Sequence, residues 1–252
     1  MGLHYERLGT GPPLVLVHGL GGSAAVWRPV VEVLSSKREV IVPDLPGFGG
    51  SDPLPAETPA TAANLGAPLA DLCADLGFSA PDLVGNSLGA WVCLELAKRG
   101  AAGSVTGISP AGLWRKPLGP RRFESHRVGR RLRPLLAGAL RTRLGRRALL
   151  RTTVADPARV PPQAARELVT GYLDAPGYAA ANEAMRADPF EHEGLVEVPV
   201  TIAWGEADRI VGRPSRTRMP PGTRYLTVPG WGHTPTWDDP EGVARLILEP
   251  GG

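Results

Sequence analysis

A chain of 252 residues with 42% hydrophobic content is long enough to bury the core of one large domain, or of one domain carrying an insertion. Two cysteines, Cys73 and Cys93, each inside an apolar helical pattern and with no CxxC or Cys/His cluster beside them, exclude a disulfide scaffold and a thiolate metal site. The N-terminus lacks a basic-then-apolar signal pattern and no 18-residue apolar run occurs, so a cytoplasmic chain without a membrane span is expected. The net charge of +3 conceals an asymmetry: residues 114–151 hold thirteen Lys/Arg and one acid, Glu124, so that segment carries +12 and the rest −9.

In chain order, the apolar run 14–17 ends in His18-Gly19-Leu20-Gly21-Gly22 and predicts a buried strand opening into a glycine loop. Ser23 is placed to cap the helix that follows, whose Val26, Trp27, Val30, Val31 and Leu34 share one face. Residues 40–42 predict the next strand, and a proline- and glycine-rich loop runs from Pro43 to Asp52. A helix over about 60–77, a strand over 82–85, a helix over 87–99 and a strand over 105–109 complete a β-α-β-α-β order. That order predicts an α/β fold: a mostly parallel central sheet with helices on both faces. The alternation then stops. From 110 to about 193 no strand is evident; Leu132, Leu135, Leu136, Ala139, Leu140 and Leu144 make one helical stripe, Leu168, Val169 and Tyr172 a second, and a further helix is expected over 178–187. Strands over 200–204 and 225–228, a short helix over 213–219 and a closing helix over 240–248 capped by Asp239 resume the pattern. The expected division is a core of 1–110 and 194–252 with an inserted all-helical cap over 111–193.

The chemistry centres on Gly85-Asn86-Ser87-Leu88-Gly89, where a strand passes into a helix with almost no loop. Glycines two before and two after Ser87 let strand and helix approach, and the turn pushes the hydroxyl out at the carboxyl edge of the sheet. The Leu88 N–H, in the first turn of the helix, is a donor suited to an oxyanion beside Ser87. Asp208 follows the strand 200–204 and His233 follows the strand 225–228, so both emerge at the same edge. Ser87, Asp208 and His233 thus stand in the chain order nucleophile, acid, base. An imidazole must take the serine proton, and a carboxylate must hold that imidazole in one tautomer.

With these residues in view, the sequence resembles the α/β-hydrolase fold family, in its cap-bearing branch. The resemblance rests on His18-Gly19, Asp44-Leu45-Pro46-Gly47-Phe48-Gly49-Gly50-Ser51-Asp52, the Ser87 elbow, Gly205-Glu206-Ala207-Asp208 and Gly232-His233-Thr234-Pro235, and covers nearly the whole chain. It implies a second oxyanion donor at the backbone N–H of Leu20, and supporting or substrate-lining roles for His18, Gly19 and Asn86. The chain departs from the family pattern at Gly212, where a proline is usual, and at Ala90, where a glycine is. It also argues against epoxide opening and haloalkane cleavage, whose enzymes carry aspartate at the elbow, and leaves a serine acyl-enzyme or a serine-assisted hydration.

Other residues carry plainer expectations. His4, His126 and His192 lack a glycine turn or strand end and are expected to be structural. Asp238 and Asp239, at a helix start, are expected to cap it, and Asp44 to tie down its own loop. Tyr172 and Tyr178 stand open between core packing and substrate contact. The arginine-rich segment lacks interleaved aromatics or a nucleic-acid motif, so nucleic acid is not an expected partner. For that segment a solvated arginine face, an anionic substrate and an acidic carrier protein remain, and a homo-oligomer is kept as a separate candidate partner. The expected function is hydrolysis of a small-molecule ester, lactone or thioester, without metal or cofactor. A meta-cleavage type C–C hydrolase, suggested by the Gly-Asn-Ser-Leu-Gly elbow, and a non-catalytic binding protein on the same fold are the alternatives.

Overall fold

The computed structural model describes residues 2–119, 125–187, 189–191 and 198–249. A seven-stranded sheet runs through it. Its strands are β1 (Tyr5–Leu8), β2 (Pro13–Val17), β3 (Glu39–Pro43), β4 (Asp82–Asn86), β5 (Ser104–Ile108), β6 (Val200–Gly205) and β7 (Arg224–Val228), in the spatial order β1-β3-β2-β4-β5-β6-β7. Every neighbour pair is parallel except β1 with β3, where Tyr5 pairs with Pro43 and Leu8 with Val40. This antiparallel edge strand is absent from the sequence reading. Tyr5-Glu6-Arg7-Leu8 is mostly exposed and carries no apolar run, since an edge strand needs one partner and little burial.

Successive side chains of the central strands enter opposite cores, as the two-residue period of a strand requires. Val15, Val17, Ile41, Leu83, Val105 and Ile202 pack in one layer with α2 (Ala62–Asp75) and α3 (Leu88–Lys98). Leu14, Leu16, Val40, Val42, Val84, Ile108 and Ala203 pack in the other with α1 (Arg28–Ser35) and with Val243, Ala244 and Ile247 of the closing helix, Pro240–Leu248. Both cysteines are free and buried in the first layer, where loss of hydration pushes the Cys73 thiol up to about 11 and Cys93 further up.

Between β5 and β6 the described residues contain helices and no strand: α4 (Ser125–Arg131), α5 (Arg133–Ala139), α6 (Arg143–Leu150), α7 (Pro162–Asp174) and α8 (Tyr178–Ala187). They share a small core of Leu140, Leu150, Val154, Val160 and Ala165. The stripe expected as one helix is two, because Thr142 takes the N-cap of α6, its Oγ1 accepting from Gly145 N–H at 3.0 Å. Of that stripe Leu140 is buried, whereas Leu135 and Leu144 are 71% and 78% exposed. The charged segment is likewise turned outward: Arg130, Arg131, Arg141, Arg143 and Arg147 are exposed, while Arg146 is buried on the carbonyls of Leu140 and Arg141. The end expected for the insertion, near 193, lies outside the described residues.

The remaining differences are local. The expected 213–219 helix is a single 3-10 turn over Arg216–Arg218, because Pro214 and Pro220 leave room for no more. Ser23 makes no side-chain cap; the Asp44 carboxylate takes the Ala24 N–H instead, at 2.7 Å. Asp239 caps the closing helix α9 (Pro240–Leu248) through Gly242 N–H at 2.9 Å. No described helix is long and apolar enough to cross a membrane.

Candidate active site

Ser87 sits between β4 and α3 at φ 55°, ψ −117°, in a region that side-chain-bearing residues rarely enter. Two glycines make the turn possible. A Cβ on Gly85 would lie 2.3 Å from Ala90 N, and one on Gly89 would lie 2.2 Å from the Val17 carbonyl, so any larger residue would push α3 off the sheet. Ser87 N–H is held by the Ile108 carbonyl at 3.0 Å, and the Ser87 carbonyl accepts from Ala90, Trp91 and Ala111. The strained turn is therefore pinned from β5 and from α3. Leu88 opens α3, and Gly19 passes so close that its own Cβ would meet that of Ser87 at 3.0 Å. The loop carrying Leu20 accordingly lies against the serine.

His18 is fully buried and holds that loop. Leu45 N–H donates to its Nε2 at 2.9 Å, which assigns the ring proton to Nδ1, and Nδ1–H donates to the Gly19 carbonyl at 2.8 Å. Burial pushes its pKa down, against the raising effects of that carbonyl and of Asp44, so the ring stays neutral. Asp44 serves the neighbouring loop: its carboxylate accepts from Gly50 N–H and Ala24 N–H and pairs with His4 Nδ1 at 2.9 Å. It lies among these groups and not beside His233, in keeping with a loop-tying role.

Asp208 and His233 leave the ends of β6 and β7 and meet, His233 Nδ1–H donating to Asp208 Oδ2 at 2.8 Å. The second carboxylate oxygen of Asp208 accepts from Ile210 N–H at 2.8 Å and Val211 N–H at 3.2 Å. Burial alone would raise the Asp208 carboxyl, but the His233 hydrogen bond and charge, with those two amides, hold it below the usual carboxylate value. With Nδ1 donating to Asp208, Nε2 of His233 keeps its lone pair. Asn86 is a strut between the Ser87 turn and the His233 loop: its Nδ2 donates to the His233 carbonyl at 2.7 Å and to the Ile108 carbonyl at 3.1 Å, while Thr234 Oγ1 donates to its Oδ1 at 3.3 Å.

Ser87, His233, Gly19, Leu20 and Asn86 line one cavity of about 900 Å³, whose lining also includes Leu136, Leu149, Leu168, Tyr172, Tyr178 and Met185 from the helices between β5 and β6. Tyr172 packs on the loop carrying Leu20, where a Cβ at Gly21 would fall 2.6 Å from its ring, so this tyrosine both packs and faces the cavity. His126 stacks on Tyr178 at 4.6 Å between ring centres, a packing role as expected; His192 lies outside the described residues. The lining contains Arg186, Arg209 and Arg213, and no carboxylate among the described residues. None of the three belongs to the +12 segment, which contributes Trp114, Leu118, Gly129, Leu136, Leu149 and Leu150 instead. No described cluster of His, Cys, Asp and Glu is arranged to hold a metal.

Asp238 departs from its expected helix-capping role. Its buried carboxylate accepts from Ala155 N–H at 2.9 Å, Asp156 N–H at 3.0 Å and Gly232 N–H at 2.9 Å, joining the insertion to the His233 loop. Sequence reasoning missed this because its partners are backbone amides some 80 residues away; the only signal is an acid beside the one already needed for the cap.

The comparisons with known proteins agree with this architecture. Over 190 residues the chain is 35% identical to epoxide hydrolase EphH of Mycobacterium tuberculosis, a match covering 69% of this chain and 86% of that protein. Over 92 residues it is 44% identical to the pimeloyl-[acyl-carrier protein] methyl ester esterase of Aeromonas hydrophila, covering 35% of this chain and 36% of that one. The structure of a thermophilic esterase from Thermogutta terrifontis superposes with a TM-score of 0.73 at 27% identity, covering 98% of this chain and 92% of that one. The model of the alpha/beta hydrolase family matches residues 14–246. With a parallel sheet, a strained serine elbow and a histidine–carboxylate pair at one edge, and with relatives and neighbours that are hydrolases, the chain is an enzyme of the alpha/beta hydrolase family.

Proposed function

We propose that this enzyme hydrolyses acyl compounds, an ester, lactone or thioester, through a Ser87 acyl-enzyme. His233 Nε2 takes the Ser87 proton as Oγ attacks the acyl carbon, and returns it to the leaving group as the tetrahedral intermediate collapses. Asp208 keeps the ring in the tautomer that leaves Nε2 free and stabilises the imidazolium. The N–H groups of Leu20 and Leu88 receive the oxyanion, and His18 and Gly19 hold the Leu20 loop at that distance. Water activated by the same histidine then releases the acid. The helical insertion, about 111–193, acts as the cap that encloses the substrate.

The observation that carries the reading is a serine, not a carboxylate, at the strained elbow of a cavity shared with a histidine already bonded to a buried aspartate. Attack of a serine on an epoxide would form an alkyl ether, which the same histidine-activated water does not cleave. An acyl ester turns over, and so the relative named as an epoxide hydrolase does not lend its substrate here. A specific observation favours an acyl group presented by an acidic carrier protein as one form of substrate: α4, α5 and α6 carry exposed arginines while Gly129, Leu136, Leu149 and Leu150 of the same helices line the cavity, and one relative is named for such a carrier-bound ester.

The test is a panel of p-nitrophenyl esters, lactones and a vinylogous dienoate. Ser87→Ala is expected to lose on the order of 10³-fold or more in kcat while folded, and Asp208→Asn up to about 10⁴-fold. Ester turnover that survives Ser87→Ala refutes the mechanism, and turnover of the dienoate alone replaces it with C–C cleavage.

A further inference from the structure

The backbone on either side of His233 is held by three hydrogen bonds. Gly232 N–H donates to Asp238 Oδ2 at 2.9 Å, Thr234 N–H donates to the Thr153 carbonyl at 2.8 Å, and the His233 carbonyl accepts from Asn86 at 2.7 Å. Asn86 belongs to the sheet edge. The other two depend on the insertion, because Asp238 is itself held by Ala155 N–H and Asp156 N–H while Thr153 lies in the same insertion segment. Contact there is close. A Cβ on Gly232 would lie 2.6 Å from Ala155 N and 2.8 Å from Val154, so only glycine lets residues 153–156 lie flat on the histidine loop. Arg159 Nη1 closes the seam from outside on the Asp238 carbonyl at 2.8 Å. Beside the seam lies an open cleft of about 250 Å³, lined by Ala155, Asp156, Arg159, Trp231 and Asp238.

We propose that Asp238 is a positioning residue that latches the helical insertion to the histidine loop, so that His233 is aligned for proton transfer only while the insertion is seated. Both carboxylate oxygens accept: Oδ1 takes Ala155 and Asp156 N–H, and Oδ2 takes Gly232 N–H while sharing Ala155 N–H at 3.0 Å, so the two sides are bridged by one acceptor-only group. When segment 153–156 lifts, Thr234 loses its acceptor and the Asp238 carboxylate loses the donors that orient it toward Gly232. The histidine loop then keeps only its holds on the sheet edge, from Asn86, from Asp208 and from Ala207 N–H on the Trp231 carbonyl, and a displacement of about 1 Å at such a group is enough to slow chemistry on the order of a hundredfold. The latch thereby links substrate enclosure to alignment of the base.

The inference rests on the serine–histidine mechanism, and the experiment separates the two. A fluorophosphonate probe and p-nitrophenyl acetate, small enough to need no enclosure, are applied to the wild-type enzyme, Asp238→Asn and Arg159→Ala. A wild type that the probe leaves unlabelled overturns the serine mechanism and the latch with it. With the wild type labelled, Asp238→Asn is expected to lose at least tenfold in kcat and in labelling rate at unchanged KM. Its amide presents N–H where Gly232 or Ala155 needs an acceptor. Amide hydrogen exchange at Gly232, Ala155 and Asp156 is expected to rise together. Arg159→Ala, which removes one outer bond from an exposed side chain, should move all three readouts the same way by a smaller factor. A lowered melting temperature with wild-type kcat and labelling rate in the folded variant overturns the latch, since a purely structural aspartate would act that way. Should Asp238→Asn fail to fold, Arg159→Ala decides: wild-type kcat with raised exchange at Ala155 and Asp156 refutes the coupling.

Discussion

Replacing Asn86 by alanine isolates the strut that joins the Ser87 turn and the His233 loop. The side chain is 4% exposed, and its amide is the donor to the His233 carbonyl at 2.7 Å. Ile108 O retains Ser87 N–H as a partner after the change, whereas His233 O is left without its donor in a buried site. One orphaned buried carbonyl costs about 1–3 kcal/mol, and the weaker Thr234 contact at 3.3 Å adds little. A loss of about 2 kcal/mol lowers the melting temperature of a domain this size by about 4–8 °C. The kinetic effect should be larger in proportion, on the order of 10²-fold in kcat with KM little changed, because the lost bond fixes the backbone of the proposed base. Asn86→Asp should be worse than alanine, since it sets a buried charge and a second acceptor against two carbonyls. Turnover of p-nitrophenyl butyrate and thermal melts of both variants check this. An Asn86→Ala protein with wild-type kcat would refute the argument, since it would mean that Asp208 and residues 153–156 suffice to hold the histidine.

Two further outcomes follow from the charges. His18 is held neutral by burial, its pKa lying below the ordinary 6.5, so as pH falls through that value the unfolded chain takes up a proton before the folded one does. Unfolding free energy should then decline by up to about 1.4 kcal/mol per pH unit until the folded His18 protonates, and His18→Gln should remove that decline in urea titrations between pH 7.5 and 5.5. An unchanged slope refutes the assignment; Asp208, also depressed, acts only below its ordinary 3.8. The three arginines lining the cavity, with no described carboxylate opposing them, should make kcat/KM for a carboxylate-bearing ester fall with added salt while a neutral ester of equal size shows no fall. Equal salt slopes would show these arginines to be merely solvated.

The strands over 14–17, 40–42, 82–85, 105–109 and 200–204 were legible because a strand buried on both faces reads as a short, largely apolar run. The serine elbow was legible too: a sharp strand-to-helix turn demands Gly85 and Gly89 at fixed offsets whatever surrounds it. The same holds for Asp239 as a helix cap, a purely local hydrogen bond. Local demands of this kind act between neighbours in the chain and so leave a pattern along it. The edge strand β1 and the role of Asp238 left none. A half-exposed strand needs no apolar run, and Asp238 finds its donors on backbone amides, which every residue except proline carries. Charge shows the same limit. Thirteen basic residues in one segment are plain in the sequence, yet helix rotation turns nearly all of its described arginines to solvent, and the cavity takes Arg186, Arg209 and Arg213 from elsewhere. The kinds of group available for chemistry were set by the order of residues along the chain, whereas which of them face one another was decided by packing between elements far apart in it, where no local periodicity reaches.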